Sequence, residues 1–139
     1  MITKLNHVCI YVLDQERAED FYVNKLGCTV HTDASMGPGK RWLTVTPPEQ
    51  PDVQIVLAAV DGGMILKDDA AVKMRELVAS GTFGFGVFEC DDLNATYEEL
   101  VAKGVEFTKA PTKEFWGYEA LFKDDSGNWF SLGEKGSDS

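Results

Sequence analysis

The sequence has no apolar run approaching the roughly 20 residues needed to cross a bilayer, so no transmembrane segment is expected. Its opening residues, Met1 to His7, carry no apolar core of a secretory signal and enter a strand pattern at once, so a cytoplasmic location is expected. Cysteine is sparse. Cys9, Cys28 and Cys90 are odd in number and form no CxxC pair, which argues against a disulfide framework or a structural zinc site and leaves reduced thiols as the expectation. Basic charge is short as well: 13 Lys and Arg stand against 23 Asp and Glu, a formal charge of −10. Such a surface repels a phosphate backbone and an anionic bilayer alike, so neither nucleic acid nor membrane is expected as a partner.

What is present is ordinary globular material, with 44% apolar residues in a chain long enough for one domain or two half-domains sharing a core. Residues 4–12 are rich in β-branched and aromatic types and lead to Asp14, a residue able to cap a helix. Ala18, Phe21, Tyr22 and Leu26 then recur at helical spacing until Gly27 stops the run. Strand-like runs at 28–33, 41–46 and 53–59 complete a βαβββ order over residues 1–60. The order returns over residues 81–135: a strand at 83–90, Asp92 as cap, a stripe of Leu93, Tyr97, Leu100 and Val101, a stop at Gly104, and strands at 105–109, 118–123 and 129–132. Laying His7 on Phe85 brings Asp14 onto Asp92, and one gap in the helix brings Gly27 onto Gly104, which an internal duplication explains most simply. Between the halves, residues 61–80 form a linker with helical spacing at 67–79, expected to cover a sheet edge rather than to act as a lid or dimer contact. Residues 136–139 are expected to form a flexible tail. The expected class is α+β, with two tandem βαβββ modules.

Four stretches carry a resemblance: Leu5-Asn6-His7-Val8, Phe21-Tyr22 with Lys25-Leu26-Gly27, Phe88-Glu89-Cys90-Asp91-Asp92, and Asp124-Asp125-Ser126-Gly127-Asn128-Trp129. In this order along a duplicated chain they resemble the vicinal oxygen chelate superfamily, the glyoxalase/bleomycin-resistance/extradiol-dioxygenase group. The resemblance implies curved mixed sheets forming a small-molecule cleft and, in metal-using members, an ion held by residues of the first, fourth, fifth and eighth strands. Carried onto this chain, those positions are His7, Val56 (with Gln54 the polar alternative), Phe85 and Ser131. A catalytic Zn²⁺, Ni²⁺ or Fe²⁺ generally needs about three protein donors, and only His7 qualifies. No divalent metal and no other cofactor is therefore expected, and Phe85 is expected to turn a coordination site into an apolar wall.

Strand alternation puts His7, Cys9 and Tyr11 on one face and Phe83, Phe85, Val87 and Glu89 on the matching face of the second module. His7 is a candidate base or hydrogen-bond donor, and Glu89 a candidate acid able to pair with His7 or with a cationic ligand. The plainer alternatives are a packed histidine and a solvated strand end. Trp42, Gln54, Phe83, Phe85, Trp116, Tyr118 and Ser131 are the expected ligand-binding residues, with Trp129 in the same aromatic group and Arg41 beside it as a possible anion contact. Aromatic walls hold flat molecules by offset stacking and cations over their ring faces. The expectation is a homodimer that binds a small planar or cationic molecule without metal. The competing expectation is an enzyme of the same superfamily, a lyase, transferase or dioxygenase-like protein acting on a small carbonyl, thiol or epoxide.

Overall fold

Eight strands form two four-stranded sheets in the computed structural model, which describes residues 1–62 and 64–136. In the first sheet β1 (His7–Val12), β2 (Thr29–Ser35), β3 (Arg41–Thr46) and β4 (Gln54–Ala59) lie in the order β1-β4-β3-β2. In the second, β5 (Gly84–Cys90), β6 (Glu106–Glu114), β7 (Gly117–Lys123) and β8 (Trp129–Glu134) repeat that order as β5-β8-β7-β6. Strand β1 runs parallel to β4 and β5 parallel to β8, while the remaining neighbours are antiparallel. The two-module α+β expectation holds, and the sheets do not close into a barrel.

Each module's helix starts and stops at the residues that local chemistry favours. Asp14 caps α1 (Gln15–Glu19) by accepting from the Arg17 N–H at 3.0 Å, and Asp92 caps α3 (Leu93–Ala102) by accepting from the Ala95 N–H at 3.0 Å. Gly27 and Gly104 end the two helices at φ of 83° and 89°, a region open to glycine and costly for L side chains. The first module has one more residue between cap and glycine than the second. It absorbs this residue by widening into a π-helical segment, Asp20–Lys25, continuous with α1, where Leu26 N–H donates to the Phe21 carbonyl at 3.1 Å. A third helix, α2 (Asp68–Ala79), occupies the linker as its spacing predicts. No helix among the described residues is long and apolar enough to cross a membrane. Of the expected tail, residues 137–139 lie outside the described residues.

Helix α1 packs on β4, and α3 packs on β6, β7 and β8. One hydrophobic cluster then runs through both modules, joining Ile10, Val12, Leu43 and Leu57 to Phe122, Phe130 and Leu132 through Tyr22 and Leu93 of the helical layer. The Tyr22 ring stands edge-on to Phe130 at 6.3 Å. The helix-bearing faces of the two sheets therefore share a single core. Their helix-free faces turn outward.

The turn between β7 and β8 clasps the modules together. Asp124 Oδ1 accepts the backbone N–H groups of Ser126, Gly127 and Asn128 at 2.8, 2.9 and 3.0 Å, and Oδ2 accepts the Tyr22 hydroxyl at 2.7 Å and Asn128 Nδ2 at 3.0 Å. Two further bonds reach β1 and its end: Leu13 N–H donates to Ser126 Oγ at 2.9 Å, and Asn128 Nδ2 donates to the Tyr11 carbonyl at 2.8 Å. Gly127 sits at φ 117°, where a Cβ would come within 2.4 Å of the Val78 carbonyl oxygen, so α2 seats its C-terminal end on the same turn.

Asp125, exposed at the rim of this turn, has its carboxyl pushed up to about 6, by partial desolvation first and by the charges of Asp124 and Asp14 after it. A carboxyl raised on folding favours the protonated native state, so its ionisation lowers stability as pH rises from the ordinary carboxylate range through about 6. Discounted for its exposure, the effect is about 1 kcal/mol. Asp125→Asn is therefore expected to raise stability by about that amount at pH 7.5 and to change nothing below about pH 4, as read from urea unfolding at the two pH values.

Candidate functional site

Pairing and alternation decide which side chains reach the helix-free faces. On the first sheet His7 lies opposite Gln54, Cys9 opposite Val56, and Thr44 opposite Val56. These residues share one face with Trp42, whose ring lies 6.3 Å from that of His7. Thr44 Oγ1 donates to Gln54 Oε1 at 2.9 Å, which fixes that amide. Met64 and Ile65, from the linker ahead of α2, close over Trp42, Val56 and Ala58 and leave only about 10 Å³ of space. The accessible part of this face is the end that carries His7, Cys9 and Gln54.

On the second sheet Val87 lies opposite Ser131, Glu89 opposite Gly133, and Glu119 also opposite Gly133. Trp129 shares this face, its ring lying where a Cβ on Gly84 would come within 2.2 Å. Glu119 is the most densely bonded side chain of the face. Its Oε1 accepts from Lys109 Nζ at 3.0 Å, its Oε2 accepts from Ser131 Oγ at 2.8 Å, and the Trp116 indole N–H donates to the same carboxylate. Lys109 Nζ also meets Glu114 Oε1 at 2.9 Å and stands 5.6 Å over the Trp116 ring. Burial pushes the Glu119 carboxyl up, but the donors from Lys109, Ser131 and Trp116 together hold it below the usual carboxylate range. The Lys109 ammonium is held above its ordinary range by Glu114 and Glu119.

The structure divides the residues expected to line the cleft. His7, Trp42 and Gln54 gather on the first sheet, Trp116 and Ser131 on the second. Phe85 does not take its expected place, because the ladder between β5 and β8 shifts register between Gly84 and Gly86. Gly84 pairs with Trp129 as His7 pairs with Gln54, and Phe85 becomes the extra residue of a β-bulge. Its ring lies 6.5 Å from the core ring of Phe130 and 5.9 Å from Phe83, at the edge of the core, and stays partly exposed. Tyr118 also belongs to the helix-bearing side, where its hydroxyl donates to Asn94 Oδ1 of α3 at 2.8 Å. Arg41 is saturated by Glu16, Glu19 and Asp33 and offers no free anion contact. Glu89 lies exposed on the edge strand β5, and among the described residues no hydrogen bond or ion pair joins it to His7.

Lys109, Glu114 and Glu119 escaped the sequence reading. The signal available was the alternation in β7, where Tyr118, Ala120 and Phe122 mark the core side and so consign Glu119 to the face of Trp129 and Ser131. The partnership with Lys109 had no local signal, since two register shifts in the β6–β7 ladder set Lys109 opposite Leu121, from where it reaches Glu119.

The donor set does not fit a catalytic divalent metal. His7 is accompanied by Gln54 and Trp42, its counterpart pairing position in the second sheet is Gly84, and the remaining two positions are Val56 and Ser131. Among the described residues no group of three or more His, Cys, Asp and Glu side chains is arranged to hold an ion.

Both inner edges of the sheets are open. Among the described residues, strands β1 and β5 end their sheet orders without an outer neighbour, and they expose Val8 (40%) and Val87 (70%) beside those unpaired edges. Unpaired edge groups next to exposed apolar side chains form a template for another strand.

The family model of the Glyoxalase/Bleomycin resistance protein/Dioxygenase superfamily matches residues 4–132. The chain is 34% identical over 134 residues to the uncharacterized protein YetH of Bacillus subtilis (strain 168), covering 96% of this chain and 100% of that one. Among solved structures it is similar to UcmS2, at 45% identity and a TM-score of 0.89 over 100% of both chains. It is also similar to TnmS3, an antibiotic binding protein from Streptomyces sp. CB03234, at 28% identity and a TM-score of 0.72 over 96% of each chain.

Two outcomes follow from this geometry. Zn²⁺, Ni²⁺, Mn²⁺ or Fe²⁺ added to the protein should leave its thermal midpoint unchanged, whereas an ion at 100 times its dissociation constant would stabilise the fold by about 2.7 kcal/mol. A clear upward shift that disappears in His7→Ala would overturn the reading of the donor set. Phe85→Ala should lower stability by about 1 to 3 kcal/mol, less than a fully buried phenylalanine because the ring is partly exposed, and should leave ligand affinity unaltered.

Proposed function

The chain belongs to the Glyoxalase/Bleomycin resistance protein/Dioxygenase superfamily, and from that premise we propose that it binds a small planar or cationic molecule in clefts completed by a second copy of itself. One observation carries the reading. All three tryptophans lie on the helix-free faces, Trp42 on the first sheet and Trp116 and Trp129 on the second, while Phe88 of β5, Phe122 of β7 and Phe130 of β8 pack toward the core. Tryptophan offers the largest stacking surface of any side chain; Met64 and Ile65 cover Trp42, so Trp116 and Trp129 are the rings whose surface is left to a ligand.

A small molecule is held well when most of its surface is buried, which one open sheet face cannot do. The shared core turns the two faces of one chain away from each other, so each is half of a site. The open β1 edge of one chain set against the open β5 edge of another supplies the missing half. A symmetric pair of this kind repeats the contact and forms two identical clefts. TnmS3 supports the reading as an antibiotic binding protein of the same fold. A planar ligand between the His7–Gln54 end of one chain's first sheet and the Trp116–Trp129 face of its neighbour would be gripped from both sides without chemistry, which matches a donor set that suits no metal.

Light scattering should give twice the mass of one chain, and titration with acridine or anthraquinone should quench tryptophan emission to saturation at one ligand per chain. Val87→Glu sets a second carboxylate beside Glu89 on the β5 edge; it should yield a folded monomer whose affinity for either compound falls by about tenfold or more. A wild-type monomer that binds as tightly, or a dimer that binds neither compound, would overturn the proposal.

A further inference from the structure

The polar cluster on the second sheet deepens this reading of the cleft. We infer that Glu114 and Glu119, with the Trp116 ring, select planar ligands that carry a protonated amine over neutral or anionic ones; the inference rests on the proposed cleft.

Charge count is the first ground. Two carboxylates face a single ammonium, so the cluster of Lys109, Glu114 and Glu119 keeps one uncompensated negative charge. The three side chains are only 25%, 26% and 16% exposed, which weakens the screening that would make this excess trivial at an open surface.

The ring gives the second ground. Trp116 already has a cation over its face, the Lys109 ammonium at 5.6 Å, and its indole N–H is tied to Glu119, which fixes the plane of the ring. The chain's own lysine thus marks the place as one that accepts a positive group between a carboxylate and an aromatic face. A ligand ammonium entering beside it would bring the charges to two against two, taking Glu114 or a share of Glu119 from Lys109.

Access is the third. Glu119 lies opposite Gly133 on β8, and a Cβ at Gly133 would meet only Val87 Cγ1, at 3.9 Å, so the position directly opposite the carboxylate carries no side chain and Ser131 approaches it from beside. Ser131 and Trp129 continue the same face on β8, giving the aromatic body of the ligand a wall beside its charged end. No competing anion site is offered by Arg41, whose guanidinium is committed to three carboxylates on the helix-bearing side.

The probes are three tricyclic compounds of similar outline: proflavine, cationic at neutral pH, anthraquinone, neutral, and anthraquinone-2-sulfonate, anionic. Proflavine should bind at least about tenfold more tightly than the sulfonate at low salt, and the gap should narrow as ionic strength rises to about 0.5 M. Glu119→Gln should weaken proflavine by about tenfold while anthraquinone stays within about twofold. Glu114→Gln, at the hairpin rim and away from the Ser131 and Trp116 donors, should act in the same direction and serves if the Glu119 variant fails to fold. Equal affinity for all three compounds, or equal losses for proflavine and anthraquinone in the variants, overturns the charge selection and leaves the cleft standing. Binding of none of the three overturns the cleft and this inference with it.

Discussion

A carboxylate removed from water must be met by donors on every side, and Asp124 is met by five: three backbone N–H groups of its own turn, the Asn128 amide and the Tyr22 hydroxyl. Only one of these donors comes from the other module, yet it decides how the halves of the molecule meet. Tyr22 can reach Asp124 only if the π-helical segment after α1 lies against the β7–β8 turn, and the bonds from Leu13 and Asn128 hold the end of β1 to the same turn. Loss of any partner would strand a buried charge, a heavier penalty than the loss of an exposed ion pair. The clasp thus sets which faces of the sheets are joined.

Joining the helix-bearing faces has a cost at the other side of each sheet. The edges β1 and β5 are left without neighbours, and apolar side chains stand beside them in solvent. Proteins usually blunt such edges with charge, proline or a covering segment, and the linker gives only partial cover, through Met64 and Ile65 over one end of the first sheet. An assembly that pairs those edges would relieve the same feature that leaves each cleft half-built, so the proposed dimer and the proposed ligand site have one structural origin.

The helix-free faces also differ in character. The first is led by His7, Gln54 and Trp42, whereas the second is organised around a carboxylate held ionised by a lysine, a hydroxyl and an indole. The proposed site, built from one of each, would set the His7–Gln54 end of the first face against the tryptophans and the charged end of the second. In the proposed cleft such asymmetry would suit ligands that are flat and polar at one edge.

Much of this was legible along the chain because it depends on neighbours a few residues apart. Caps at Asp14 and Asp92, glycine stops at Gly27 and Gly104, the repeated βαβββ order and the poverty of metal donors all follow from local spacing and residue type. Even the extra residue of the first helix was visible as a gap, though its accommodation as a π-helical widening was not. The face on which a strand residue emerges is another matter, since a single bulge reverses parity for everything beyond it. The bulge at Phe85 appears only once β5 is laid on β8, and it turns that ring out of its expected register toward Phe130, where it stays partly exposed. Tyr118 and Arg41 were misread for a related reason: their partners, Asn94 of α3 and the carboxylates of α1 and β2, come from elements that only the folded layers bring near. The Lys109–Glu119 pair depends on two register shifts in one hairpin, and the Tyr22–Asp124 bond on how one module docks on the other. Local chemistry chose the elements and the pattern of their repetition; long-range register and docking chose which side chains emerge on the helix-free faces.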